Sequence, residues 1–176
     1  MSGVQGYDAV VVGSGPGGYV AALRLAQLGG RRTALVERDR LGGGECTNYA
    51  CIPSKALLHV AKIIDYAERA AKYGLRMRVE SIDVDALRKW RDGVVNSLSG
   101  GGIKYLCDNY GVEVLQGEAR LRGGGREVEV RSSGGDSKQL RASSVILATG
   151  STPIQLRGGS SRMGGSWSWA AERQCS

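Results

Sequence analysis

The sequence predicts an α/β fold with a mainly parallel sheet and an appended antiparallel meander, and three observations carry that prediction. Apolar runs at Tyr7–Val12, Thr33–Val36 and Ser144–Ala148 read as strands covered on both faces. The first two flank a helical pattern, which makes a βαβ unit. From about residue 118 to 142 the texture changes to short alternating pieces separated by glycine and serine turns.

Each element has its own local reason. After Val12 come Gly13-Ser14-Gly15-Pro16-Gly17-Gly18, and then Val20, Leu23, Leu25 and Leu28 recur on a largely helical spacing that Gly29 and Gly30 end. Leu57, Leu58, Ala61, Ile64, Ala67 and Ala71 return every three or four residues, which predicts a helix over Ser54–Tyr73 with one apolar face and Gly74 as its C-cap. A second helical region runs over Asp83–Asn109 on Leu87, Trp90, Val94, Leu98, Ile103, Leu106 and Tyr110, with Gly100–Gly102 expected to break or bend it. Val112–Leu115 is a further strand, and Ala119–Leu121, Glu127–Arg131 and Gln139–Arg141 form the meander. Between Gly158 and Ser168 eight of eleven residues are glycine or serine, so residues 157–176, with Trp167 and Trp169, read as a disordered or aberrant tail.

A chain of 176 residues with 41% hydrophobic content is long enough for one domain with a real core and too apolar for a disordered one. No apolar run approaches the ~18 residues of a membrane span and the N-terminus lacks the order of a signal peptide, so a cytoplasmic protein is expected. The net charge of +7 is spread over single and paired arginines rather than concentrated, which favours a solvated surface over a nucleic-acid or membrane partner. The 28 glycines are about twice the usual share of roughly 7%. They cluster, and two of the clusters carry chemistry.

The first cluster is the strand-GxGxxG-helix at Gly13, Gly15 and Gly18, the Rossmann-like arrangement in which backbone N–H groups and a helix N-terminus meet a pyrophosphate. Its acidic companion is Glu37, at the end of the second strand, where a carboxylate can accept from both ribose hydroxyls. Strand, helix and acid together predict a dinucleotide site.

The second is Gly43-Gly44-Glu45-Cys46-Thr47-Asn48-Tyr49-Ala50-Cys51-Ile52-Pro53-Ser54-Lys55. Positions five apart on an ideal helix lie roughly 8 to 9 Å apart, and a disulfide needs Cα atoms about 4.4 to 6.8 Å apart. If Cys46 and Cys51 pair, the segment between them is therefore an irregular turn leading into the helix, which Pro53 suits. Cys51 would then stand near the positive end of a helix with Lys55 one turn on, and both favour a thiolate. The residues alone leave open a redox pair, a zinc half-site or two unrelated cysteines.

Cys46–Lys55, read with Gly43-Gly44, resembles the redox-disulfide signature of the flavoprotein disulfide reductases, the class I pyridine nucleotide-disulfide oxidoreductases. Pro53-Ser54-Lys55 is closer to the dihydrolipoyl dehydrogenase and mercuric reductase branch than to glutathione reductase. The resemblance covers about residues 5–156 and includes Gly117-Glu118-Ala119 and Ala148-Thr149-Gly150-Ser151 in family order. It implies a Rossmann-like FAD-binding domain over residues 1–156 and an FAD-dependent, dihydrolipoyl-dehydrogenase-like oxidoreductase. FAD would lie on Gly13, Gly15 and Gly18 with Glu37 on its ribose and Arg38 beside it. Gly44, Glu45, Cys46 and Lys55 would line its flavin end, Ala119 would meet the adenine, and Thr149, Gly150 and Ser151 would close over it. Cys51 would be the thiolate facing the flavin and Cys46 the sulfur that exchanges with a small disulfide or dithiol substrate or a lipoyl-bearing protein.

Three departures qualify the resemblance. Ala50 stands where the family usually has glycine, which is expected to tighten the turn and to spare its reactive groups. The family adds an NAD-binding domain and a homodimerisation domain with a His-Glu acid/base pair, neither of which is visible here, so a truncated or frame-shifted chain is expected. His59, the only histidine, matches no family acid/base position and reads as structural, Cys107 as a core residue and Cys175 as an exposed thiol. The rivals are a mercuric-reductase-like or other disulfide reductase, and a catalytically idle FAD-binding fragment. No metal is expected.

Overall fold

The computed structural model describes residues 4–151. The residue 157–176 tail, with Cys175, and the Thr152–Leu156 end of the resemblance lie outside the described residues. Six strands form one sheet in the order β3-β2-β1-β6-β5-β4. β1 (Gln5–Val12), β2 (Thr33–Glu37), β3 (Glu113–Gln116) and β6 (Ser137–Leu147) run parallel, while β4 (Glu118–Arg122) and β5 (Glu127–Arg131) run antiparallel through β6. This is the predicted class, with one revision. The meander is not appended beside the sheet but hydrogen-bonded into it, because Gln139–Arg141 and Ser144–Leu147 are one strand. Its first part pairs with β5, Ser137↔Arg131 to Arg141↔Glu127, and its longer part with β1, Gln5↔Leu140 to Val12↔Leu147.

β1 is central, and Val10 and Val11 are fully buried on opposite faces. On one face Val11 and Leu35 pack with Ala22, Leu23 and Ala26 of α1 (Pro16–Gln27) and with Ile103, Cys107 and Val112. On the other, Val10, Ala34, Val36 and Leu115 meet Val128, Val130, Leu140 and Ala142, so the curled meander covers the face that α1 leaves bare. Cys107 is a core residue, as expected.

Tyr7 ties the edge strand β3 to the centre. Its hydroxyl donates to Glu113 Oε2 at 2.7 Å and Arg32 lies over its ring. Burial, then the bond to Glu113, push the Tyr7 hydroxyl up to about 12. A group raised above its unfolded value contributes stability that is complete below that value, about 10 for tyrosine, and is lost as pH rises toward the folded one. Tyr7→Phe is therefore expected to cost roughly 1 kcal/mol at neutral pH. The cost should shrink between pH 10 and 12; urea unfolding of both proteins across that range reads the difference, and a constant gap would contradict it.

The remaining helices form one flank. α2 (Gly44–Asn48) and α3 (Cys51–Arg69) follow β2, and α3 tightens through Ala70–Tyr73 to Gly74, whose left-handed φ of 79° makes it the C-cap. α4 (Val84–Asn96) is capped by Asp83, which accepts from Asp85 N and Ala86 N. Gly100–Gly102 bends the helical path without breaking it, as a π-helical stretch Ser97–Ile103 that runs into α5 (Lys104–Asn109). The apolar faces predicted for α3 and α4 are real, but Leu57, Leu58 and Trp90 on them are exposed among the described residues. His59 is also exposed and lies near the Trp90 ring. Among the described residues no helix is long and apolar enough to cross a membrane.

Candidate functional site

The C-terminal ends of β1, β2 and β6 converge where β1 turns into α1. Gly13 N–H donates to Val36 O and Ala148 N–H to Val12 O, each at 2.8 Å, which locks the turn between its two neighbours. A Cβ on Gly13 would stand 2.3 Å from Ala148 O, and one on Gly18 would stand 1.8 Å from Gly13 O. These two glycines serve close packing of helix on strand. Gly15 and Gly17 are different, since a Cβ there would meet no atom within 4 Å. The glycine run therefore has one packed side and one open side. No side chain caps α1, so the positive end of its dipole faces the open side, with Pro16 lacking an N–H and Gly18 N–H donating to Gly15 O.

That side opens into a cleft of about 500 Å³ lined by Gly15, Pro16, Gly17, Glu45, Cys46, Ala50, Cys51, Ala148 and Gly150. The two sequence clusters thus share one cavity, and the segment after β6 is its third wall. A hollow of about 620 Å³ at the other end of β1, beside Tyr7 and Arg32, contains no thiol. Among the described residues no group of three or more His, Cys, Asp or Glu is placed to hold a metal ion.

Cys46 lies in α2 and Cys51 is the first residue of α3, with Tyr49 and Ala50 turning the chain between them. The irregular turn is thus a break between two helices, and Pro53 occupies the first turn of α3, where its missing N–H costs nothing. Ala50 has φ −117°, outside the left-handed region, so its Cβ adds no backbone strain. Both cysteines are free thiols. Cys46 is held above the ordinary thiol range first by its interaction with the neighbouring Cys51 and then by burial, against the pull of Lys55.

Glu37 is buried at the end of β2. Its Oε2 accepts from Ser14 N at 2.8 Å and Ser14 Oγ at 2.7 Å, and Oε1 accepts from Asp39 N at 2.9 Å. Oε1 keeps room for another donor, so a ribose hydroxyl can join there, whereas Oε2 can receive a second one only if Ser14 gives way. Gly117 N–H donates to Glu37 O at 2.8 Å, which brings Gly117-Glu118-Ala119 to the same end. Ala119 itself is half-buried on β4 opposite Val130, and Arg38 is exposed with its Nε 3.3 Å from Asp39 Oδ2. Neither lines the cleft. Thr149 and Ser151 flank Gly150, which does. Lys55 stands outside the lining and acts through its charge on Cys46.

No motif in the sequence assigns a role to Ser14 or Asn48. Both are buried, and Asn48 Nδ2 donates to Gly42 O and Gly44 O at 3.3 and 3.0 Å. A small polar residue inside a glycine run, and an asparagine two places after a cysteine, were the available signals.

The family model for pyridine nucleotide-disulphide oxidoreductases matches residues 7–166. The chain is 46% identical over 152 residues to a dihydrolipoyl dehydrogenase of Thermus scotoductus, covering 86% of this chain and 31% of the relative. Proteins of the same name from Pseudomonas aeruginosa and Halobacterium salinarum are 42% and 41% identical, covering 89% and 87% of this chain and 33% and 32% of each relative. The chain spans about a third of the length of the curated relatives it matches.

Proposed function

The chain belongs to the pyridine nucleotide-disulphide oxidoreductase family, and from that premise we propose that it is the FAD-binding, thiol-bearing part of a dihydrolipoyl-dehydrogenase-like enzyme. The observation that supports this most is the shared cleft, in which Gly15 and Gly17 on one wall face Cys46 and Cys51 on another. The open side of the glycine turn suits a pyrophosphate, because Gly15 and Gly17 leave its backbone approachable and the head of α1 supplies partial positive charge. Glu37 Oε1 takes a ribose hydroxyl, with Arg38 and the Gly117–Ala119 segment bordering the adenosine end. Gly44, Glu45, Cys46 and Lys55 border the flavin end, and Thr149, Gly150 and Ser151 cover the middle. FAD, when bound, supplies a two-electron carrier beside the sulfur pair.

The chain's own residues handle the sulfur chemistry. In the oxidised state a thiolate of a dithiol substrate attacks Cys46 of a Cys46–Cys51 disulfide. The S–S bond breaks, and Cys51 leaves as a thiolate at the positive end of α3. The second substrate thiol then displaces Cys46, which takes up a proton, in keeping with a thiol raised by the neighbouring Cys51. The substrate has become a disulfide, and its two electrons reside on the pair. In the reverse direction Cys46 must first lose that proton. Among the described residues the cleft lining offers Glu45 as its one carboxylate and no imidazole. NAD(H) as the outer electron partner, a cytoplasmic setting and a homodimer belong to the same proposal.

Incubation of the purified chain with FAD, followed by desalting and an absorbance spectrum, tests the cofactor. Near one FAD per chain is expected, and FMN, which has no adenosine ribose for Glu37, should wash out. Equal retention of both would contradict the role of Glu37; loss of both would overturn the cofactor reading.

A further inference from the structure

Glu37 and the thiol-bearing helix α2 are joined through one fully buried side chain. Ser14 Oγ donates to Glu37 Oε2 at 2.7 Å and accepts from Gly42 N at 3.1 Å. The main chain repeats both links, since Ser14 N–H donates to the same carboxylate oxygen at 2.8 Å and Gly43 N–H donates to Ser14 O at 2.8 Å. From the far side Asn48, in the same helix as Cys46, holds Gly42 O and Gly44 O. Gly42, Gly43 and Gly44 all have positive φ, 96°, 90° and 52°. A Cβ on each would strike a different neighbour, Ser99 O at 2.6 Å, Thr47 Oγ1 at 1.9 Å and Gly15 Cα at 2.8 Å.

Three glycines in succession have little conformational preference of their own. Their course is set by what binds them, and the Ser14 hydroxyl is the one side chain that binds both this stretch and the carboxylate. A hydroxyl has one hydrogen to give. Here it goes to Glu37, which leaves a lone pair for Gly42 N–H. When a second ribose hydroxyl takes Oε2, Ser14 must give way, and Gly42 follows.

We infer that Ser14 is a positioning residue through which occupancy of the ribose position at Glu37 sets the geometry, and so the reactivity, of Cys46; the ligand-dependent half of this rests on the FAD reading of Glu37. The probe is ADP, which carries the ribose and the diphosphate and has no flavin ring to shield the sulfurs directly.

The experiment uses the full chain, with iodoacetamide alkylation of Cys46 timed by peptide mass mapping, with and without saturating ADP. Wild type, Ser14→Ala and Asn48→Ala are compared with Ala26→Gly, a buried change in the core under α1 that loosens the fold away from the loop. Wild type is expected to slow about fivefold when ADP binds, the low end of coupling between two sites, and Ser14→Ala to lose most of that response. Without ADP, Ser14→Ala and Asn48→Ala should each alkylate several-fold faster than wild type while Ala26→Gly matches it. A Ser14→Ala rate that tracks Ala26→Gly would show a space-filling role and overturn the inference. If Ser14→Ala does not fold, Asn48→Ala carries the same test from the other end of the loop, and an unchanged rate there overturns it. Should wild type bind neither ADP nor FAD, the ribose reading of Glu37 fails and the coupling with it, while the ligand-free rates still decide whether Ser14 holds the loop.

Discussion

Gly18→Ala is expected to disable the nucleotide site and destabilise the whole domain. The new Cβ would lie 1.8 Å from Gly13 O, a backbone atom that cannot swing aside because Gly13 N–H is held by Val36 O. The helix must back away from the strand by more than an ångström. That opens the contact of Ala22 and Leu23 with Val11 and Leu35, one of the two halves of the core. Overpacking of this kind costs about 3 kcal/mol, which lowers Tm by roughly 6 to 12 °C for a chain of this size. Gly17→Ala provides the contrast. It lies in the same turn, but its Cβ would meet nothing within 4 Å, and alanine gains about 0.5 to 1 kcal/mol over glycine inside a helix. Thermal unfolding followed by circular dichroism should therefore move the two variants in opposite directions. Equal losses would contradict the division of the glycine run into a packed side and an open side.

The second large effect separates the two sulfurs. Cys51→Ser and Cys46→Ser are each expected to abolish dithiol–disulfide exchange entirely, because either change removes the partner. Their FAD-loaded spectra should differ. Cys46→Ser leaves the sulfur at the positive end of α3, where a thiolate facing the cofactor should give a long-wavelength absorbance. Cys51→Ser leaves Cys46 in the five-residue α2, whose single turn carries far less dipole than the nineteen-residue α3, and the band should be missing. Like spectra from the two variants would sink the assignment. Cys51→Ser should also lower the pH at which Cys46 begins to alkylate, since the neighbouring sulfur that raises the Cys46 thiol in wild type is gone.

Periodicity and turn chemistry exposed what each segment wants locally, and much of the molecule follows from that. The run of valines before Gly13 could only be a strand buried on both faces, and the spacing from Gly13 to Glu37 fixed a βαβ unit whose ends meet. Gly74 and Asp83 mark helix ends by chemistry that acts within four residues. What failed to show in the sequence depends on partners far along the chain. Ala142-Ser143-Ser144 carries no alternating signal, so the continuity of β6 emerges only when β1 lies beside it. Gly100–Gly102 signals a break or a bend, and only the fold decides between them, with a π-helical turn that absorbs the extra residues and carries Ser99 up to Gly42. The apolar stripes of α3 and α4 were legible as stripes, but a stripe does not say what covers it, and Leu57, Leu58 and Trp90 remain exposed among the described residues. Ser14 was hidden for the opposite reason. Its importance lies in two hydrogen bonds to residues 23 and 28 positions away, and no local pattern encodes those.

An anaerobic reductive titration of the FAD-loaded chain counts the electrons accepted by the flavin and the redox-active cysteine pair proposed to share one cleft. A working pair adds a two-electron disulfide couple to the two-electron flavin, so about four electrons per bound FAD are expected, falling to about two in either cysteine variant. Wild type that stops at two electrons would contradict the account, because the sulfurs would then share the cleft without sharing its chemistry.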